Sequence, residues 1–200
     1  MPPALERVSF NSGFEAVGVS PDEREVYVSQ ERPGLDEGGR CRSMPLLVRL
    51  PLAGGAEYFS YPLERSGAGV DVGLSELTVV SRGELLTLER GFTRGVGSAV
   101  RIYRASLPDT GTLEAPGLVH RTLLADLATM PREAFANPLP FGQTVHPGLG
   151  NYEGMTLGPC LTTGERSLVL LTDDNADNDP SHGGQPRHIT VLALSDRPAR

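Results

Sequence analysis

The stretch GFEAVGVSPDEREVYVSQE, residues 13–31, decides the fold, because its pattern returns twice more. It recurs as LSELTVVSRGELLTLERG at 74–91 and as NYEGMTLGPCLTTGERSLVLLTDDN at 151–175. Each copy opens on a Glu among small and apolar residues: Glu15, Glu76 and Glu153. A polar turn follows, and then a second apolar run that ends in an acid: Glu31, Glu89 and Asp173. Alternating apolar residues, a tight polar turn and a second apolar run predict an antiparallel hairpin. SPDERE, SRGE and TTGERS are the three turns, and VYVSQ, LLTLE and LVLLTD are the returning strands. Those strands carry apolar residues on both faces, which suits a sheet sandwiched between two others.

Strand-like material follows each hairpin: LLVRLPL and EYFSYPL after the first, AVRIYRASL and VHRTLLADL after the second, HITVLAL after the third. The reading is therefore an all-β, partial β-propeller of about three antiparallel blades, the first two four-stranded and the third three-stranded. It makes one propeller domain or fragment of 1–200, with blades near 11–65, 72–128 and 150–195. A blade short of one strand is expected where an N-terminal strand closes the ring from upstream. The repeat spacing of roughly 60 to 80 residues exceeds that of common propeller repeats. The surplus falls in loops at 32–45, 89–98, 130–150 (where PREAF suggests a helical turn) and 173–187, and loops on a rigid scaffold are where binding residues gather.

Composition bounds the rest. Two hundred residues at 38% hydrophobic and 22% charged suit a globular chain with a sizeable core. The net charge of −7, with Arg as the only basic residue besides His, argues against nucleic acid as a partner. No run approaches the roughly 20 apolar residues of a membrane span, and MPPALERVSF lacks the pattern of a signal peptide. Cys41 and Cys160 have no metal-ligand or redox spacing and are expected to be small buried thiols.

In order, the motifs GFEAVGVSPDEREVYVSQE, LSELTVVSRGELLTLERG, VRIYRASL and NYEGMTLGP…RSLVLLTDDN resemble the "esterase-like activity of phytase" family over about residues 11–194, matching its C-terminal half. The resemblance implies a bacterial, commonly exported propeller and a hydrolase, phytase-like or esterase-like.

Three sets of residues are candidates for chemistry. Glu15, Glu76 and Glu153, if each opens an innermost strand, converge on the central channel. Grouped carboxylates repel, so they need a cation, an Arg or raised pKa values; calcium suits such oxygen ligands. The bland alternative is that each Glu bonds the backbone of the next blade. Glu31, Glu89, Arg90 and Asp173 form the second set, at the ends of the returning strands, as substrate contacts or inter-blade ion pairs. The third is DDNADND, where Asp173, Asn175, Asp177 and Asp179 alternate, with Asp174 beside them, like the start of a calcium loop. It departs from the EF-hand pattern at Asn178 and Gly184, so a solvated acidic loop is the alternative.

No GxSxG elbow occurs, so a Ser–His–acid esterase is not expected. Two functions stand side by side. One is hydrolysis of a phosphate or other ester, a small-molecule substrate, assisted by calcium at the channel mouth with Arg32, Arg90 or Arg94 holding anionic oxygens. The other is a non-catalytic binding or interaction module. They separate on one feature: an enzyme needs acids and Arg at an open channel mouth, whereas a scaffold has its acids fully paired. An open propeller edge also favours self-association.

Overall fold

The structure, a computed structural model, describes residues 13–36, 38–64, 71–93, 97–131, 150–173 and 189–195. Three sheets carry the three repeats. The first comprises β1 (Phe14–Val19), β2 (Glu25–Gln30), β3 (Leu46–Pro51) and β4 (Glu57–Ser60); the second comprises β5 (Asp71–Ser81), β6 (Glu84–Thr93), β7 (Gly97–Ser106) and, beyond the short β8 (Gly117–Leu118), β9 (His120–Asp126). The third is β10 (Tyr152–Cys160), β11 (Arg166–Thr172) and β12 (Ile189–Leu194). Within each sheet, neighbours in sequence pair antiparallel, so the chain is an all-β partial propeller. One pairing escaped the sequence reading: β8 adds to β4 in parallel, giving the first sheet a fifth strand borrowed from the second repeat.

Each hairpin turn reverses the chain through one residue with positive φ: Glu23 at 58°, Gly83 at 72° and Gly164 at 93°. Glycine accepts that region without steric cost, whereas Glu23 is strained there. The sheets stack face to face on apolar side chains. Tyr27, Leu47 and Phe59 of the first sheet bury against Leu77, Val79 and Leu85 of the second. Leu86, Leu88, Val100 and Ile102 on the second sheet's other face bury against Tyr152, Met155, Leu168 and Leu170 of the third. The second sheet is therefore apolar on both faces because both are covered.

Two expectations need correction or fall outside the described residues. Cys41 and Cys160 are free and exposed, not buried; Cys160 ends β10 opposite Arg166, where the strand runs out of the core. PREAF lies almost wholly outside the described residues, and the one helical turn among them is a 3-10 turn at Leu127–Thr129, capped by Asp126. No helix among the described residues is long and apolar enough to cross a membrane.

Candidate functional site

The inner strands β1, β5 and β10 each contain a bulge at the same point. The pairing shifts between Phe14 and Ala16, between Leu74 and Glu76, and between Tyr152 and Gly154. The bulged residues are thus Glu15, Ser75 and Glu153, and Glu76 stands one place further along. The returning strands carry the same offset. Glu31, Arg90 and Asp173 occupy one position, opposite Gly13, Gly73 and Asn151, and Glu89 aligns with Gln30 and Thr172. The sequence had aligned Glu76 with Glu15 and Glu153, and Glu89 with Glu31 and Asp173. A one-residue slip turns a side chain to the other face of a sheet, so both residues of the second repeat belong to different surroundings from their supposed counterparts.

Arg90 is the centre of one cluster. Its Nη2 lies 3.6 Å from Glu31 Oε1 of the first sheet and 3.3 Å from Glu153 Oε1 of the third. Arg32 Nη2 also reaches Glu31 Oε1, at 3.1 Å, and Asn151 Nδ2 donates to Glu153 Oε1 at 2.9 Å. All three repeats therefore meet at one guanidinium. Gly73 makes the meeting possible, since a Cβ there would lie 2.6 Å from the Glu31 side chain. Glu31 is almost fully buried, while the Arg90 and Glu153 side chains keep 24% and 37% of their surface exposed. Arg90 Nε is buried and has no hydrogen-bond partner among the described residues, an uncompensated donor that costs free energy unless something accepts from it.

Glu89, the preceding residue, faces the other way into a sealed network. Arg121 Nη1 of β9 lies 2.9 Å from Glu89 Oε1, Tyr61 Oη donates to the same oxygen at 3.0 Å, and the Glu64 amide donates to Oε2 at 3.1 Å. The Arg121 guanidinium stacks 4.0 Å from the Tyr103 ring centroid, and Tyr103 donates its hydroxyl proton to Glu64. Burial raises the Glu89 carboxyl above its ordinary range, opposed by Arg121. Burial and the neighbouring Glu64 push the Tyr103 hydroxyl up to about 12.

Glu76 is held by backbone amides. Its Oε1 accepts from the Leu77 amide at 2.8 Å, and the amides of Met155 and Val17 also stabilise its charge. Val17, Leu77 and Met155 are equivalent residues of the three inner strands, each three places beyond Phe14, Leu74 or Tyr152. One carboxyl thus ties together three sheets. Burial outweighs the amides and pushes this carboxyl up to about 7. Thr78 Oγ1 adds a bond to the Met155 carbonyl at 2.9 Å. A groove of about 520 Å³, with Val17, Leu77, Thr78, Met155 and Arg166 in its walls, opens beside this tie.

Glu15 is exposed and Asp173 is exposed, its amide donating to Asn151 O at 2.8 Å. Asp174, Asn175, Asp177, Asp179 and Arg94 lie outside the described residues. No group of three or more His, Cys, Asp or Glu among the described residues could hold a metal ion. Arg90 supplies compensating charge to both Glu31 and Glu153. Sequence reasoning missed Asn151, Tyr61, Tyr103 and Arg121, and no local spacing announces them: Tyr61 and Glu89 are 28 residues apart.

A propeller segment whose repeats converge on an Arg bridged between carboxylates defines the class. The family described as Phytase-like, esterase-like activity of phytase, matches residues 1–176, and the chain belongs to it. The match begins and ends earlier than the 11–194 read from the sequence, so the placement in the family's C-terminal half is slightly off. No curated protein and no solved structure matches the chain.

Proposed function

We propose that this chain is a hydrolase-type domain that acts on a small ester at the Arg90 cluster. The observation that carries the reading is Arg90 itself, part-exposed and placed between carboxylates of two other sheets. A guanidinium so fixed is suited to hold the carbonyl or phosphoryl oxygen of an ester and to stabilise the charge that develops there. Glu153, the more open of the two carboxylates, is placed to take a proton from an attacking water, whose oxygen bonds to the ester carbon or phosphorus. The bond to the alcohol oxygen then breaks, and the alcohol leaves with the proton that Glu153 returns. The net charge of −7 and the pairing of Arg32 and Arg90 with acids disfavour a polyanionic substrate and favour an ester with one anionic or dipolar group.

Calcium enters this proposal only as a stabilising ion held by the run Asp173, Asp174, Asn175 and Asp177. Chelation and calcium addition should then move the melting midpoint equally in the wild type and in Glu153→Gln; a response lost in that variant would make the cluster a metal site.

A second reading, a non-catalytic binding module, is favoured by one observation: Glu31 and Glu89 are buried and paired with Arg, as a scaffold requires. A panel of carboxylic and phosphate monoesters separates the two. Hydrolysis with kcat/KM lowered about a hundredfold or more in Arg90→Ala and Glu153→Gln supports the enzyme. Ligand binding lost in Arg90→Ala, with no turnover of any ester, supports the module.

A further inference from the structure

The two internal contacts between sheets use the same positions, and the outer faces of the stack repeat those positions uncovered. Residues can be matched across sheets by counting from the shared bulge. The face that the second sheet turns to the third carries Leu88 opposite Ile102, both buried. In the third sheet the matching pair is Leu171 opposite Ile189, which are 52% and 66% exposed, with Val191 beside them at 54%. On the other side, the second sheet presents Leu77 and Val79 to the first, buried at 2% and 5%. Their matches in the first sheet are Val17 and Val19, exposed at 63% and 53%. One end of the stack therefore displays one half of the contact and the other end displays the complementary half.

We infer that the open face of the third sheet binds the open face of the first sheet in a second copy of this chain, and that two copies close head to tail. The partner's chemistry follows from the internal contacts: what covers Leu88 and Ile102 within the chain is the Tyr152, Met155, Leu168 face of the next sheet, and its counterpart at the open end is a first sheet. Contiguous exposed apolar side chains on a sheet face mark an association surface. A heterologous contact either closes or propagates; the three sheets of the described residues, taken twice, make six, within the four to eight typical of closed propellers. The tightness expected at such a contact is seen inside the chain, where a Cβ on Gly18 would lie 2.6 Å from Leu77 Cδ1.

The test is the solution mass of the full chain by light scattering over a wide concentration range. Leu171→Asp and Val17→Asp are read beside it, both sites being exposed in the single chain, with circular dichroism to confirm that each variant folds. The expected result is a mass of two chains that does not grow with concentration. Each Asp variant should weaken pairing at least about a hundredfold, by burying an unpaired charge at the contact. Mixing the two variants restores one of the two contacts, where the intact faces meet, while both substitutions fall in the other, so the mixture pairs more tightly than either variant alone and less tightly than wild type. A wild-type monomer at every concentration, a dimer indifferent to both substitutions, or a mass that grows without limit would each overturn the closed pair. A monomer in which exchange-protected amides reveal its own chain covering Val17 or Leu171 would overturn it too.

Discussion

Glu89 and Arg90 are neighbours on β6, yet they live in two different kinds of site. Glu89 is 2% exposed, and each of its oxygens has a donor from Arg121, Tyr61 or the Glu64 amide. Arg90 faces the opposite side of the strand, keeps a quarter of its side chain exposed and leaves Nε without an acceptor. The alternation of a strand has separated a residue that holds sheets together from one that can receive a ligand. The difference teaches that charge in a repeat protein is informative only with its face known. A fully paired buried ion network specifies structure, whereas a half-open guanidinium can still be reached by a ligand.

The comparison breaks first at the sealed network. Glu89→Ala leaves the part-buried Arg121 beside two aromatic rings without its carboxylate, and removing one partner of a buried pair costs up to about 3–5 kcal/mol. The urea midpoint should fall accordingly, and an unchanged midpoint would show that the network contributes nothing. Next in size is Gly73→Ala, which forces a Cβ into the Glu31 side chain; overpacking there should cost about 1–3 kcal/mol. Because the displaced side chain carries the Arg90 pairing, that variant should also lose ester turnover. A turnover equal to wild type would separate Glu31 from the site.

Glu76 sharpens the comparison through pH. Its folded-state carboxyl titrates near 7, above the ordinary 4.5, so the folded chain favours the neutral form. The stability this group contributes is full below about pH 4.5 and is lost as pH rises through 7. Wild type minus Glu76→Gln, followed by urea midpoints from pH 4 to 8, should show that loss (the Gln variant having none). A difference that stays flat, or that grows with pH, would place the carboxyl elsewhere. The smallest effect belongs to Glu23, whose φ of 58° glycine adopts freely. Glu23→Gly should raise stability by up to about 1 kcal/mol, and a loss would mean that the turn draws on the Glu side chain.

The strands were legible because turn chemistry and alternation are local signals: SPDERE, SRGE and TTGERS mark three reversals, each made by the positive-φ residue inside it. The two-residue strand β8 was not legible. It exists because the backbone around Gly111 and Gly117 packs onto β4, where a Cβ on Gly111 would meet the Tyr58 carbonyl oxygen at 2.0 Å. The acids were legible as a repeat, but their faces were not, since Ser75 and not Glu76 occupies the bulge of β5 and shifts every later match by one. Arg90 was visible as a candidate; that it bridges Glu31 and Glu153, far apart in the chain, is a property of the stacked sheets alone.

The most direct test of the division between Glu89 and Arg90 is Arg90→Ala, assayed for both urea midpoint and turnover of the best ester from the panel. Arg32 remains beside Glu31 in that variant, so the midpoint should fall by no more than about 1 kcal/mol of stability while kcat/KM drops about a hundredfold or more. A variant that unfolds as readily as Glu89→Ala, yet retains wild-type turnover per folded molecule, would contradict the account and make Arg90 one more inter-sheet tie.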